Sequence, residues 1–136
     1  MSLTFIHDFQ NKIYLSLKED NNIMALIQKI YIGTIQDGKA PFLVINIIKA
    51  DDVSVHKNSL YMIEFQILAY AKDTNHELLT EISDKIIDNL FKINKLFNNY
   101  SIEGIKANNI YFDKAKDLVL NRLVINYKSF IRKKGI

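Results

Sequence analysis

Hydrophobic periodicity predicts an α+β fold for this chain: a largely antiparallel (mixed) five-stranded sheet with a long N-terminal helix, a short second helix and a central helix packed on one face. Three observations lead there. Two segments repeat apolar residues at three- and four-residue steps, five others suit strands, and most connections are of hairpin length. The element order is ααβββαββ. At 136 residues the chain suits one domain, residues 1–136, ending in a short basic tail at 132–136, with no internal repeat and no linker. Apolar residues at 49% and charged ones at 24% exclude disorder as the global state.

Leu3 to Glu19 reads as the first helix, with Ile6, Phe9, Ile13 and Leu17 on one stripe and Asp8, Asn11, Lys12 and Lys18 off it. Ser2 or Thr4 suits its cap. Asp20-Asn21-Asn22 interrupts the pattern and offers a fresh N-cap, after which Ile23 to Gln28 makes a short helical turn. Lys29 to Ile35 reads as a strand in which Gly33 marks a bulge or bend. The clearest turn is Gln36-Asp37-Gly38-Lys39-Ala40-Pro41, where Asp-Gly supplies positive φ and Pro41 holds Ala40 extended. Phe42 to Lys49 is a strand apolar on both faces except at Asn46, hence central.

Ala50 to Asn58 is polar and reads as an exposed loop or hairpin tip. In the long strand Leu60 to Ala71, the face Tyr61, Ile63, Phe65, Ile67 and Ala69 is apolar, while Glu64 and Gln66 mark the wetter side. Thr74-Asn75-His76-Glu77 is a capping box opening the central helix. Its stripe is Leu78, Ile82, Ile86, Leu90, Ile93 and Phe97, and Asn98-Asn99 ends it. Two strands close the chain near Tyr100–Phe112 and Leu118–Ile131, with Val119, Leu123, Ile125, Tyr127 and Ile131 on one face of the second.

A net charge of +3 is too small to announce a nucleic-acid binder. Its distribution is uneven: residues 1–84 carry seven basic and eleven acidic side chains, residues 85–136 eleven and four. Such asymmetry can make two faces of a subunit complementary. Lysine supplies sixteen of the eighteen basic residues and asparagine is abundant, the imprint of AT-rich coding, so neither carries functional weight. The absence of cysteine excludes disulfides and thiolate sites and fits a reducing compartment. Met1 to Asp8 lacks the basic start of an export signal, and the most apolar stretch, Phe42 to Ile48, is too short to span a bilayer, so the expectation is a soluble, intracellular protein without a membrane partner.

No catalytic constellation is nominated. His7, His56 and His76 each lack a second ligand beside them. Asp84 with Asp88, and Asp113 with Asp117, have metal-compatible spacing, but Glu81–Lys85 and Asp88–Lys92 read as ordinary i, i+4 pairs on a solvated face. Asp51-Asp52 reads as turn chemistry, and four scattered glycines make no phosphate loop. Nucleic acid is the more serious candidate: residues 122–136 hold Arg122, Lys128, Arg132, Lys133 and Lys134 with no acid, interleaved by Tyr127 and Phe130. Against it, Tyr127 falls on the apolar face.

The order of features resembles a family. An amphipathic helix, Phe9 to Glu19, runs into a short one, Asn21 to Gln28; a strand with Ile30-Tyr31 follows. Then Gln36-Asp37-Gly38-Lys39-Ala40-Pro41 leads into Phe42-Leu43-Val44-Ile45, and a strand like Tyr61–Tyr70 leads into a capped helix and two last strands. This pattern, over about residues 5–131, resembles the tail-terminator (tail-completion) proteins of long-tailed phages and of prophage-derived gene transfer agents. The resemblance implies a homohexameric ring that caps the tail tube and joins it to the head-side connector, with DNA threading the lumen. It implies no catalysis and no cofactor, assembly in the cytoplasm, and residence in the virion or a tail-like particle.

Under that reading the partners are further copies of the chain, the tail tube protein, the connector or stopper protein, and threading DNA through non-specific contacts. Asp51, Asp52, His56 and Lys57, in the Ala50–Asn58 loop, are the candidates for the oligomer or tube interface. Arg132, Lys133 and Lys134 are the candidate phosphate contacts, and Lys49 or Lys57 the candidate lumen charges. Two alternatives stay open: another head–tail joining protein, and a small nucleic-acid-binding module using residues 122–136.

Overall fold

The computed structural model describes residues 3–35, 39–55, 59–72, 76–115 and 119–134. Among them are helices α1 (Thr4–Lys18), α2 (Asn21–Met24) and α3 (His76–Phe91), and strands β1 (Lys29–Ile32), β2 (Phe42–Asp52), β3 (Leu60–Lys72), β4 (Leu96–Phe97), β5 (Tyr100–Ala115) and β6 (Leu120–Lys133). The strands form one sheet in the order β1-β2-β3-β6-β5-β4. β1 is parallel to β2, and all other pairings are antiparallel. The α+β class and the mixed sheet are as expected; the strand count is six, not five.

The sixth strand comes from the end of the central helix. The stripe through Ile93 and Phe97 suggested one continuous helix, but α3 stops at Phe91. Asn94 Oδ1 accepts the Leu96 N–H at 3.0 Å, and Asn98 takes a φ of 51°. These local turns compete with the helix, and Leu96 and Phe97 pair with Ser101 and Tyr100. Phe97 is still buried, now as a strand residue.

The helix arrangement is corrected too. The helices sit within a curled sheet: Phe9 of α1 meets Phe65 on central β3 at 5.4 Å and Phe97 on edge strand β4 at 6.1 Å. The stripe of α1 begins one residue early, at Phe5, whose ring lies 4.7 Å from Tyr61 and 5.4 Å from Tyr100. Ile6 is half-buried. Leu79 likewise replaces Leu78 in the buried face of α3, beside Ile82, Ile86 and Leu90. Leu3, not Thr4, occupies the N-cap position of α1; Ser2 lies outside the described residues. Asp20 caps α2 as expected, its Oδ1 accepting the N–H groups of Asn22 at 2.9 Å and Ile23 at 3.2 Å.

Gly33 is the expected bend. At φ 75° it leaves β1 while its N–H still donates to Ile45 O at 3.0 Å. The Ala40–Pro41 peptide is cis; Gln36 to Gly38, and with them the Asp-Gly turn, lie outside the described residues, as do Thr74 and Asn75 of the capping box. Ile35 and Ala40 pack on a second apolar cluster on the sheet face away from the helices, where Phe42 stacks on Tyr70 at 4.6 Å. β2 is therefore apolar on both faces, as read.

Strand limits move outward. β2 bulges between Ile47 and Lys49 and runs on to Asp52, so Ala50 to Asp52 are strand residues paired with Ile63, Met62 and Tyr61, not loop. Cross-strand pairing outweighs their polarity. Val119 is not on the buried face of β6: it sits before the strand at φ 53° and is exposed.

Candidate interaction surfaces

Facing residues on paired strands share a side of the sheet, so register alone orders the side away from the helices. One row is Phe42, Tyr70, Arg122 and Asp113; the next is Val44, Leu68, Val124 and Tyr111. Then come Asn46, Gln66, Asn126 and Asn109, followed by Lys49, Glu64, Lys128 and Lys106. The amide row is hydrogen-bonded: Gln66 Nε2 donates to Asn126 Oδ1 at 2.9 Å, and Asn126 Nδ2 donates to Asn109 Oδ1 at 2.6 Å. It borders a shallow hollow of about 290 Å³ whose rim includes the bulge residues Ile48 and Asn108. In the charged row, Glu64 lies 3.3 Å from Lys49 and 3.9 Å from Lys128. None of this row order is readable from local periodicity, because it depends on register and bulges.

The candidate interface residues separate. Asp51, half-buried in β2, pairs with Lys49 at 3.4 Å. Asp52 closes the hairpin: its Oδ1 accepts the Ser54 N–H at 2.9 Å, and Ser54's side chain and N–H hold its carboxyl below the usual range. His56 and Lys57 lie outside the described residues. Lys49 is on the sheet face turned from the helices, tied to Asp51 and Glu64.

The basic segment is largely neutralised by β5 and β3. Arg122 Nε and Nη2 donate to the two Asp113 oxygens, each at 2.6 Å. Arg132 Nε donates to Glu103 Oε1 at 2.7 Å, and Lys128 sits beside Glu64. Lys133 and Lys134 are exposed. Tyr127 faces the core, stacked on Phe65 at 5.0 Å, whereas Phe130 is on the open face.

The remaining titratable candidates do not converge. His7 is exposed on α1, and His76 stacks on Phe112 at 5.3 Å. Asp88 accepts from Lys92 at 3.0 Å, and Asp117 is outside the described residues. Among the described residues no three His, Cys, Asp or Glu side chains come together as a metal set, and no helix is long and apolar enough to cross a membrane.

A polar groove of about 540 Å³ between α1 and α3 is built around Asn89. Ser16 Oγ donates to Asn89 Oδ1 at 2.7 Å, while Asn89 Nδ2 donates to Ser16 O at 3.0 Å and to Asp20 Oδ2 at 2.9 Å. One amide thus pins the α1–α2 corner to α3. Burial raises the Asp20 carboxyl, but hydrogen bonds from Asn89, Ile23 and Asn22 and the charge of Lys85 outweigh it and bring it below its ordinary 3.8. The Arg122 hydrogen bond, against some burial, does the same for Asp113. Groups depressed on folding stabilise the native state above their unfolded pKa and cease to do so as pH falls through the folded one. The urea midpoint is therefore expected to drop below about pH 4, with a shallower drop in Asp113→Asn; equal pH profiles would show that the Asp113–Arg122 pair contributes nothing.

No family model matches this chain, and neither does any curated protein. Solved structures do. A chain in the virion of a native gene transfer agent particle matches with a TM-score of 0.79 at 13% identity, over 96% of this chain and 99% of that one. The gp17 protein of bacteriophage SPP1 matches with a TM-score of 0.60 at 14% identity, over 90% and 88% of the two chains. At such identities the likeness is one of fold: this chain folds over nearly its whole length as a gene-transfer-agent virion protein and a phage protein do, in agreement with the tail-terminator resemblance of its sequence.

Proposed function

We propose that this chain is a structural head–tail protein, a subunit of a homo-oligomeric ring, six copies by the family resemblance, that ends the tail tube, meets the head-side connector and passes DNA through its lumen. The observation that carries this reading is the two-way match to the gene-transfer-agent virion chain, which leaves almost no residue of either protein outside the shared fold. The surfaces fit a part that works by shape. The polar groove between α1 and α3 is lined by a hydrogen-bond hub that joins the α1–α2 corner to α3, and the open sheet face carries rows of amides and paired charges suited to contact over an area. We assign the end of the β2–β3 hairpin, with Asp51 and Asp52 at its base, to the tail tube.

The nucleic-acid module gains no specific observation, since Arg122 and Arg132 are committed to carboxylates within the chain. Sedimentation and negative-stain microscopy of the purified protein, alone and with tail tubes, test the ring. Closed annuli, or binding to tube ends, are the expected result. A strict monomer at high protein concentration that ignores tubes would overturn the proposal.

A further inference from the structure

β5 runs far beyond β4, and among the described residues no strand lies on its other edge from Glu103 to Ala115. Near its far end Ile110 and Phe112, on the helix side of the strand, are 45% and 47% exposed, Tyr111 on the opposite side is 44% exposed, and Val119 across the hairpin is exposed too. Large apolar side chains exposed on both sides of an open edge are what a sheet ordinarily avoids unless something covers them. The His76–Phe112 stack sets this end beside the first turn of α3. Glu77 lies in that turn, and Glu81 and Asp84 follow it at i+4 and i+7 on one exposed helix face.

The opposite end of the sheet carries the counterpart. Leu15 and Leu96, both exposed, line one shallow groove together with Phe97, Lys12 and Asp8. Exposed Lys95 precedes Leu96, Lys133 faces Tyr100 across the β5–β6 pair, and the Lys134 N–H donates to Asn99 O at 2.7 Å. The chain therefore has an exposed apolar edge beside three acids at one end and, about 30 Å away along β5, a groove beside Lys95, Lys133 and Lys134, where Lys12 offsets Asp8. None of Glu77, Glu81, Asp84, Lys95, Lys133 or Lys134 forms an ion pair among the described residues.

We infer that the occupant of the β5 end is a second copy of this chain, presenting its Leu15–Leu96 groove and its Lys95, Lys133 and Lys134. Charge decides between the ways two copies can meet. Joining two acidic ends, or two basic ends, places like charges together, whereas acidic against basic gives attraction and steers encounter. The contact is then heterologous, each copy using one patch toward each neighbour, which is the arrangement a ring requires. The inference rests on the ring reading and supplies its contact.

The test is a charge swap in the full chain. Glu81→Lys with Asp84→Lys makes one variant, and Lys133→Glu with Lys134→Glu the other; circular dichroism checks the fold of each. Each variant alone is expected to associate about tenfold more weakly than the wild type, the combined effect of a few exposed rim charges. Mixed one to one, the two regain assembly, because each altered patch meets a complementary one. Misfolding cannot produce that rescue. Wild-type rings with variants that assemble equally well, or variants that stay apart when mixed, overturn this contact and leave the ring standing. Loss of DNA binding by the lysine variant with assembly intact also overturns it, in favour of a phosphate role. A wild type that is monomeric throughout overturns the contact and the ring together.

Discussion

Phe9→Ala is expected to lower the unfolding free energy by about 3–5 kcal/mol, the range for removing a large aromatic from a core. Phe9 is 0% exposed. It stands where α1 meets the central and the edge strands of the curl, edge-on to Phe65 and tilted against Phe97. The loss joins the transfer free energy of the ring to a cavity that the rigid strands on both sides cannot fill. For a domain stabilised by about 5–15 kcal/mol, that is about a fifth of the total or more. Urea unfolding should show a lower midpoint at unchanged slope. Phe91→Ala is the control: the same substitution at the end of α3, where the ring is 78% exposed, should change stability by less than about 0.5 kcal/mol. Equal losses at the two positions would contradict the packing of α1 inside the sheet.

Tyr127→Phe should act in the other direction and stabilise the protein. The Tyr127 ring lies nearly parallel to Phe65, with an interplanar angle of 7°, while its hydroxyl is buried with no hydrogen-bond partner among the described residues. Burial alone pushes its ionisation well above the ordinary tyrosine value. Leaving a buried hydroxyl unsatisfied costs about 1–3 kcal/mol, which phenylalanine avoids while keeping the ring. A rise in melting temperature of several degrees is expected for a gain of that size. A fall would mean that the hydroxyl is hydrogen-bonded in solution and that Tyr127 contributes a polar contact to the core.

The legible part of this fold was what rests on near neighbours in the chain. Phe9, Ile13 and Leu17 face inward because helical spacing puts them together, and Asp20 caps α2 because its carboxylate reaches N–H groups two and three residues on. The alternation in Leu60–Ala71 and Leu123–Ile131 likewise picked out the helix-side face before any partner strand was known, though not that Leu68, Tyr70 and Val124 are buried on the opposite side. Where two readings were locally equal, distant contacts chose between them. Ile93 and Phe97 satisfied a helical stripe as well as the β4 turn, and pairing with Tyr100 and Ser101 selected the strand. Polarity suggested a loop at Ala50–Asp52, and ladder hydrogen bonds to β3 overruled it.

The surfaces were less legible still. The basic run at 122–134 looked like a phosphate track because its partners, Asp113, Glu103 and Glu64, come from other strands. The amide row across Gln66, Asn126 and Asn109 and the opposed patches at the two ends of β5 had no local signal either. Sequence by itself determined the α+β class, the inward faces of the helices and strands, and the tail-terminator resemblance. Periodicity, capping and turn chemistry act over a few residues, so they are written into short stretches of chain. Tertiary structure alone decided the sixth strand, the curl, and which charges are neutralised and which are left exposed. Each of these depends on register between segments tens of residues apart, and a shift of one residue would turn every side chain of a strand to the other face.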